Sequence, residues 1–231
     1  RVFGGETLTV PIEVYGSAGD SIQLLAQKFQ KVGTLFSPDG DSEKAGDPIQ
    51  IVAGSPNIAK VEISFPEVNA IRQYVIAVGI DGSNAAIKRN VEVFPENLFA
   101  DFFRDYEIFS NGESEFAELL KKNELRVSKL EDDRLLDGEW SGFWITNSPG
   151  FEKLQSGKTG MPELSRDQSV LVFDGKLKLP TVVYRKKGEG WILHFPEEWK
   201  TNLAGNAGAQ HRLLMHLTQW KSYEENEKTL R

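Results

Sequence analysis

The spacing of apolar residues changes near residue 95, and this change constrains the fold more than any other feature of the chain. Before it, as in residues 6–15, apolar residues alternate with polar ones between turns rich in Gly, Pro, Asp and Asn. After it, strand-like runs are interspersed with apolar residues at helical spacing. Alternation is typical of half-buried strands, and a three-to-four spacing is typical of helices. The sequence therefore predicts two domains, residues 1–95 and 96–231.

The first domain is predicted to be an all-β sandwich of about seven strands, because short runs separated by turn-forming residues favour that architecture. Residues 21–31 also fit a helix, since Ile22, Leu25 and Phe29 would share one helical face, but their neighbours favour a strand. Apart from residues 6–15, the expected strands are 21–29, 32–37, 48–53, 58–65, 71–80 and 86–94.

One strand of this domain is similar to a strand of immunoglobulin-like (Ig-like) domains. The segment Arg72–Val78 resembles the penultimate strand of such domains, with Tyr74 near its start, where a tyrosine corner would lie. The cysteine pair and core tryptophan of antibody domains are missing. The resemblance therefore implies an Ig-like sandwich of a looser kind.

The second domain opens with a strand–helix–strand pattern. A short strand at 106–109 precedes Ser110 and Glu113, whose spacing has the form of a helix capping box. The helix after them presents Phe116 to a core and is followed by a strand at 125–130. Such a unit implies parallel strand pairing.

Further elements extend this sheet. Apolar strands are predicted at 142–146 and 169–173, a hairpin turns at 186–190, and a helix spans about 203–221. The pattern predicts a small three-layer α/β domain with a mostly parallel sheet.

Three passages of this domain resemble class I glutamine amidotransferase-like proteins, which have a flavodoxin-like fold. They are the strand–loop–helix at 108–120, the segment 136–146 that ends in an apolar strand, and the hairpin at 182–194. Enzymes of that family use a cysteine nucleophile, and this chain has no cysteine. The resemblance therefore implies a non-catalytic member, and such domains occur joined to Ig-like modules in bacterial envelope proteins.

Composition excludes several kinds of function. Without cysteine the chain has no disulfides, thiolate metal sites or thiol nucleophiles. Residues 1–95 carry eight Lys and Arg against eleven Asp and Glu, and residues 96–231 carry nineteen against twenty-three. Neither half has the basic excess of a nucleic-acid binder. No apolar run reaches the roughly 18–20 residues of a membrane span, and the start does not look like a signal peptide.

The nearest approach to a serine nucleophile is Ser148, within Thr146–Gly150. A nucleophile elbow takes its oxyanion donor from the amide of the following residue, and Pro149 has no N–H. We therefore predict that Ser148 is a helix N-cap, with Pro149 at the first helical position. No catalytic residue is assigned.

No metal site or cofactor is predicted. His211 and His216 are five residues apart, which places them on different faces of a helix. His194 lies in a strand and is expected to be structural. The acidic residues of 39–47 do not follow a calcium-loop pattern, and a solvated turn is expected there.

The remaining candidate site lies where parallel strands end, since open α/β sheets bind ligands beyond the carboxyl ends of their strands. A small polar ligand there would meet residues that follow two of the predicted strands. They are Ser110, Asn111, Gly112, Glu113, Thr146, Asn147 and Ser148.

These patterns leave three functions open. The first is a non-catalytic binding or scaffolding segment of a larger bacterial extracytoplasmic protein, in the periplasm or cell envelope, with a protein partner or small polar ligand. The second is a hydrolase that acts on a carbohydrate or peptide through acidic residues such as Glu113 and Asp133. The third is assembly through exposed Trp140, Trp199 or Trp220. The abrupt start at Arg1 suggests a piece excised from a longer protein.

Overall fold

The computed structural model describes residues 1–52, 56–84, 86–111, 114–155, 163–178, 181–200 and 203–229. The chain forms two compact units, Arg1–Glu96 and Asn97–Arg231. The described part of the first unit contains only strands, and the second contains helices and a mostly parallel sheet. The predicted fold class, an all-β domain followed by an α/β domain, is confirmed.

The strands of the first unit follow the predicted ones closely, with short additional pieces. They are β1 (Val2–Phe3), β2 (Thr7–Val14), β3 (Ser21–Ile22), β4 (Leu24–Val32), β5 (Leu35–Pro38), β6 (Glu43–Lys44), β7 (Ile49–Gln50), β8 (Asn57–Ser64), β9 (Arg72–Ile80) and β10 (Ala86–Phe94). The segment that was compatible with either helix or strand is a strand, because β4 pairs with β9 along its length.

Two layers of strands enclose the first core. One sheet has the order β1-β10-β9-β4-β5, with β6 also on β4, and the antiparallel pair β2–β8 packs against it. Alternate residues of β2 and β8, such as Val10 and Val61, point inward and meet Ile76 and Val93 of the larger sheet. Tyr74 is buried in the same core and packs edge-on against Phe65.

The second unit contains five α-helices and six strands among its described residues. They are α1 (Ala100–Phe103), β11 (Ile108–Ser110), α2 (Glu115–Lys122), β12 (Val127–Ser128), α3 (Asp132–Asp137), β13 (Gly142–Asn147), α4 (Ser148–Gln155), β14 (Gln168–Asp174), β15 (Val183–Lys187), β16 (Gly190–Pro196) and α5 (Ala207–Thr229), with a 3₁₀ turn at Glu197–Trp199.

The sheet of the second unit has the order β12-β11-β13-β14-β16-β15. The first five strands in this order are parallel, and β15 is antiparallel to β16. The parallel pairing predicted for the strands before and after α2 is therefore present, and so is the predicted hairpin. The four strands β12, β11, β13 and β14 have the order 2-1-3-4, as in flavodoxin-like sheets.

Both faces of this sheet are covered. Phe143 and Ile145 of β13 face a core that α1, α2 and α5 complete, whereas Trp144 faces a second core that contains Leu135 of α3 and Phe151 of α4. A strand that is buried on both faces reads as a continuous apolar run, as this one does. Gly142 begins the strand at φ +101°, and any Cβ there would collide with the backbone oxygen of Glu107.

Two expectations for the helices need correction. The cap of α2 is Ser114, whose Oγ accepts from the amide of Ala117, and not Ser110. Ser110 is still part of β11, because parallel pairing with Ile145 holds it in the sheet. Glu113, the proposed partner in the capping box, lies outside the described residues. The last helix begins at Ala207 and continues to Thr229, well past the expected end at 221.

The tryptophans expected to form an interface are buried. Trp140 and Trp199 are each 6% exposed, and Trp220 is 1% exposed. The assembly hypothesis based on these side chains is therefore wrong. They complete the two cores of a small α/β domain, where large aromatic rings bury much apolar area. Among the described helices, none has the length and hydropathy needed to span a membrane.

Phe116 of α2 is fully buried against Phe99, Phe103 and Phe173, so its removal tests the packing of the first core. We expect Phe116→Ala to lower the free energy of unfolding of the second unit by about 3–5 kcal/mol. Urea unfolding followed by tryptophan fluorescence measures this unit alone, because all five tryptophans lie in it. Leu136→Ala, at a residue that is 47% exposed, is the control and should change little. An equal effect of both variants would contradict the described packing.

Candidate functional site

A crevice lies at the carboxyl ends of β11 and β13. From β11 the chain moves outward to β12 on one side and then returns to β13 on the other. The helices that follow these strands therefore diverge and leave an opening between them, which is where open α/β sheets bind ligands. The crevice has a volume of about 1080 Å³.

The lining of this crevice has an apolar floor and polar walls. Leu119, Ile145 and Phe173 supply the apolar part. The polar part includes Ser110, Asn111, Ser114, Glu115, Glu118, Lys122, Thr146, Asn147, Lys200 and Asn206. Thr146 is 6% exposed, and its hydroxyl donates only a long hydrogen bond, 3.4 Å, to the carbonyl of Asn147.

Three asparagines of the lining hold the local backbone through their side-chain oxygens. Oδ1 of Asn111 accepts from the amide of Leu130 at 3.1 Å. Oδ1 of Asn147 accepts from Gly150 at 3.0 Å, and Oδ1 of Asn206 accepts from Ala209 at 2.9 Å. Asn147 and Asn206 thereby cap α4 and α5, a role for which asparagine is well suited.

The ionic side chains of the lining are balanced. The lining contains two acidic residues, Glu115 and Glu118, and two basic residues, Lys122 and Lys200. Glu118 forms an ion pair with Lys121, and Lys200 forms one with Glu197, both at 2.6 Å. The uncharged hydroxyl and carboxamide groups therefore decide much of the polarity of the crevice.

The structure brings together four of the residues expected to form a ligand site. Ser110, Asn111, Thr146 and Asn147 all line the crevice. Ser148 does not, because its hydroxyl points toward the neighbouring strand β14. Gly112 and Glu113 lie outside the described residues.

Ser148 belongs to a second, smaller cavity of about 310 Å³. Its Oγ donates to Oδ1 of Asp174 at 3.1 Å and accepts from the amide of Gly175 at 3.1 Å. Oδ2 of Asp174 lies 3.3 Å from Nδ1 of His194, which is 7% exposed. The expectation that Ser148 is the helix cap is wrong by one residue: the cap is Asn147, and Ser148 is the first residue of α4.

This cluster differs from a catalytic triad in the order of its groups. In a triad the histidine lies between the serine and the carboxylate, so that it can take the hydroxyl proton. Here the carboxylate of Asp174 lies between Ser148 and His194, and Pro149 provides no amide for an oxyanion. The arrangement ties the start of α4 to the ends of β14 and β16, which is a structural role.

The protonation of the cluster follows from its surroundings. Burial alone would raise the pKa of Asp174, but hydrogen bonds from the Lys176 amide and Ser148, together with His194, hold it below its usual value. Burial lowers the pKa of His194, and the charge of Arg185 lowers it further, against the opposing effect of Asp174. His194 is therefore neutral at pH 7.

Several residues of these two sites were not predicted from the sequence. Asp174 is the last residue of an apolar strand that ends at the same sheet edge, and this signal was available in the sequence. Asn206 was missed because the predicted helix began at 203, before the true cap. Among the described residues, no group of three or more His, Asp or Glu side chains is placed to hold a metal ion.

Removing the Ser148 hydroxyl tests its structural role. Ser148→Ala leaves the Gly175 amide and one oxygen of Asp174 without this partner, so we expect the free energy of unfolding to fall by about 1–3 kcal/mol. Ser222→Ala is the control, because that exposed hydroxyl donates only to a carbonyl of its own helix. Urea unfolding measures both variants. An unchanged stability of Ser148→Ala would show that the cluster does not hold α4.

The lowered pKa of His194 predicts acid sensitivity. The unfolded chain, with a histidine pKa of 6.5, binds a proton more readily than the folded chain, so stability falls as pH drops below about 6.5. We expect His194→Gln to reduce this dependence between pH 7 and 5, measured by urea unfolding. Asp174 titrates below this window, since hydrogen bonds and the nearby His194 hold its pKa below the usual value of an aspartate. His216, whose pKa burial also lowers, should account for a residual dependence. If the free energy of unfolding of His194→Gln depends on pH as it does in the unmodified chain, the assignment of this dependence to His194 is contradicted.

Comparisons with known proteins give only distant likenesses. No protein family and no curated protein matches the chain. A chain from a study of cell-adhesive interactions of VGSC beta subunits is 11% identical, covers 41% of this chain and 85% of its own, and has a TM-score of 0.21.

Two enzyme structures cover more of this chain and much less of their own length. A family 123 glycoside hydrolase from Clostridium perfringens is 11% identical over 85% of this chain and 38% of its own, with a TM-score of 0.27. A sialyltransferase from Photobacterium damsela is 12% identical over 75% and 35%, with a TM-score of 0.20. Scores this low do not indicate a shared fold, and none of the three structures is a glutamine amidotransferase.

Proposed function

We propose that this chain is a non-catalytic binding segment of a larger bacterial extracytoplasmic protein, and that its α/β domain binds a small polar ligand in the crevice at the ends of β11 and β13. The observation that carries the proposal is the crevice itself, whose lining combines apolar side chains with hydroxyl and carboxamide groups. Ligand sites typically combine these features.

The size and position of the crevice support a small ligand. Its volume of about 1080 Å³ is slightly above the range of about 300–1000 Å³ that is usual for ligand pockets, so a small ligand fits in it. It also lies at the point where the strand order reverses, the usual binding position in sheets of this kind.

The absence of cysteine and the geometry at Ser148 support a non-catalytic role. The family that the α/β domain resembles acts through a cysteine, and this sequence contains none. The hydroxyl of Ser148 donates to Asp174 and has no histidine to receive its proton. We therefore interpret the domain as a glutamine amidotransferase-like module that keeps the sheet and lacks the nucleophile.

The proposed location rests on architecture. An Ig-like sandwich followed by an α/β domain of this type occurs in bacterial envelope proteins, and we place this chain in the periplasm or cell envelope by that analogy. In such a setting the segment would signal the presence of a ligand to the rest of the protein or hold the ligand for it. It could equally connect the larger protein to a protein partner.

The hydrolase alternative has no comparable support. It depends on Glu113 and Asp133, and the placement of both side chains lies outside what the structure describes. Asp174 is hydrogen-bonded to both a hydroxyl and an imidazole, and its lowered pKa makes it a poor general acid.

Filling the crevice tests the proposal. Ala204 is exposed and lines the crevice, so Ala204→Trp should occupy it without disturbing a core. In a thermal-shift screen of sugars, nucleotides and organic acids, we expect at least one compound to stabilise the unmodified chain, by about 2.7 kcal/mol at a hundredfold excess over Kd. Ala204→Trp should abolish this response.

Met215→Trp is the control, because it places the same ring on an exposed position of α5. It should retain the response to the ligand. A response that survives in Ala204→Trp, or the absence of any response in the unmodified chain, would contradict binding in the crevice.

A further inference from the structure

The three asparagines of the crevice present one kind of group to a ligand. In each of Asn111, Asn147 and Asn206 the side-chain oxygen already accepts a backbone N–H. The orientation of each carboxamide is therefore fixed by chemistry, because only the oxygen can accept from an amide. The Nδ2 group, with two N–H donors, is what remains at each of the three positions. No hydrogen bond from these NH₂ groups is found within the described residues.

Other groups of the lining add to this set of donors. The ammonium groups of Lys122 and Lys200 also belong to the lining, and their charges offset those of Glu115 and Glu118.

We infer that the ligand of this crevice carries a small oxyanion, a carboxylate or a phosphate group, held by the NH₂ groups of Asn111, Asn147 and Asn206. This inference rests on the proposed function and specifies its ligand class. A group that only accepts hydrogen bonds matches a lining whose unused polar groups are chiefly donors. The amino-terminal ends of α4 and α5, which Asn147 and Asn206 cap, favour the same sign of charge.

The asparagines allow a substitution that separates binding from folding. Aspartate caps a helix as well as asparagine does, because its carboxylate accepts the same backbone N–H. Asn147→Asp and Asn206→Asp therefore keep the cap and replace the NH₂ donors with a negatively charged acceptor. We expect the melting temperature of both variants to be unchanged or higher, and their affinity for an oxyanion to fall at least tenfold.

Asn226→Asp is the matched control. It makes the same chemical change in α5, twenty residues after Asn206, which is about 30 Å along the helix. Its affinity for an oxyanion should stay within about twofold of the unmodified chain. Asn206→Ser, which keeps a capping oxygen and adds no charge, should weaken binding by about three- to tenfold. It thereby separates the lost donor from the added charge.

The measurement is a titration of the ¹⁵N-labelled chain, in which side-chain NH₂ resonances are observed directly. The probes are inorganic phosphate, citrate and the uncharged sugar trehalose, at constant ionic strength and pH 7. We expect saturable shifts of the Asn111, Asn147 and Asn206 NH₂ signals with phosphate or citrate, and the difference between these two probes identifies the preferred oxyanion.

The outcomes distinguish this inference from the proposed function. Saturable shifts with trehalose alone would overturn the inference of an oxyanion and would leave the proposed binding crevice intact. Equal oxyanion affinity of Asn147→Asp, Asn206→Asp and the unmodified chain would also overturn it. If none of the three probes shifts these signals, both the oxyanion inference and the proposed binding crevice are overturned.

Discussion

The parallel pairing of β13 with β11 and β14 is the interaction on which the rest of the second unit depends. The strand is buried on both faces, so its side chains belong to two different cores at once. Its register sets Ser110 beside Ile145 and Asn147 beside Phe173, which brings the ends of three strands to one edge. Gly142 permits this pairing because the backbone of Glu107 leaves no room for a Cβ. Both polar clusters of the unit arise at that edge.

The two clusters at the edge differ in whether their polar groups are already used. Around Asp174 the hydroxyl, carboxylate and imidazole satisfy one another and hold helix α4 in place. Around Asn111, Asn147 and Asn206 only the oxygen atoms have partners among the described residues, and all three side chains line a crevice large enough for a ligand. Buried polar groups that are fully paired stabilise a fold, whereas unpaired donors in a cavity are suited to recognition.

Much of the fold could be predicted from the sequence, because it depends on periodicity that local residues carry. The strands β4 and β9, the α2 helix and the β15–β16 hairpin follow from apolar spacing and turn residues. The predictions are wrong where contacts with distant parts of the chain, and not the neighbouring residues in sequence, determine the structure. Ser110 looked like a helix cap, but pairing with β13 keeps it in a strand, and Ser114 takes the cap. Trp140, Trp199 and Trp220 looked available for an interface, but the two cores bury them.

The candidate site shows the same division between local and tertiary information. The sequence alone determined that two strands end in polar residues and that no cysteine is present to act as a nucleophile, since both are properties of the chain itself. Only the tertiary structure decided that Asn206 joins Asn111 and Asn147, and that Ser148 turns away to Asp174. These residues are 26 to 95 positions apart along the chain, and the distances between them depend on the order and register of the strands, which no local pattern of residues specifies.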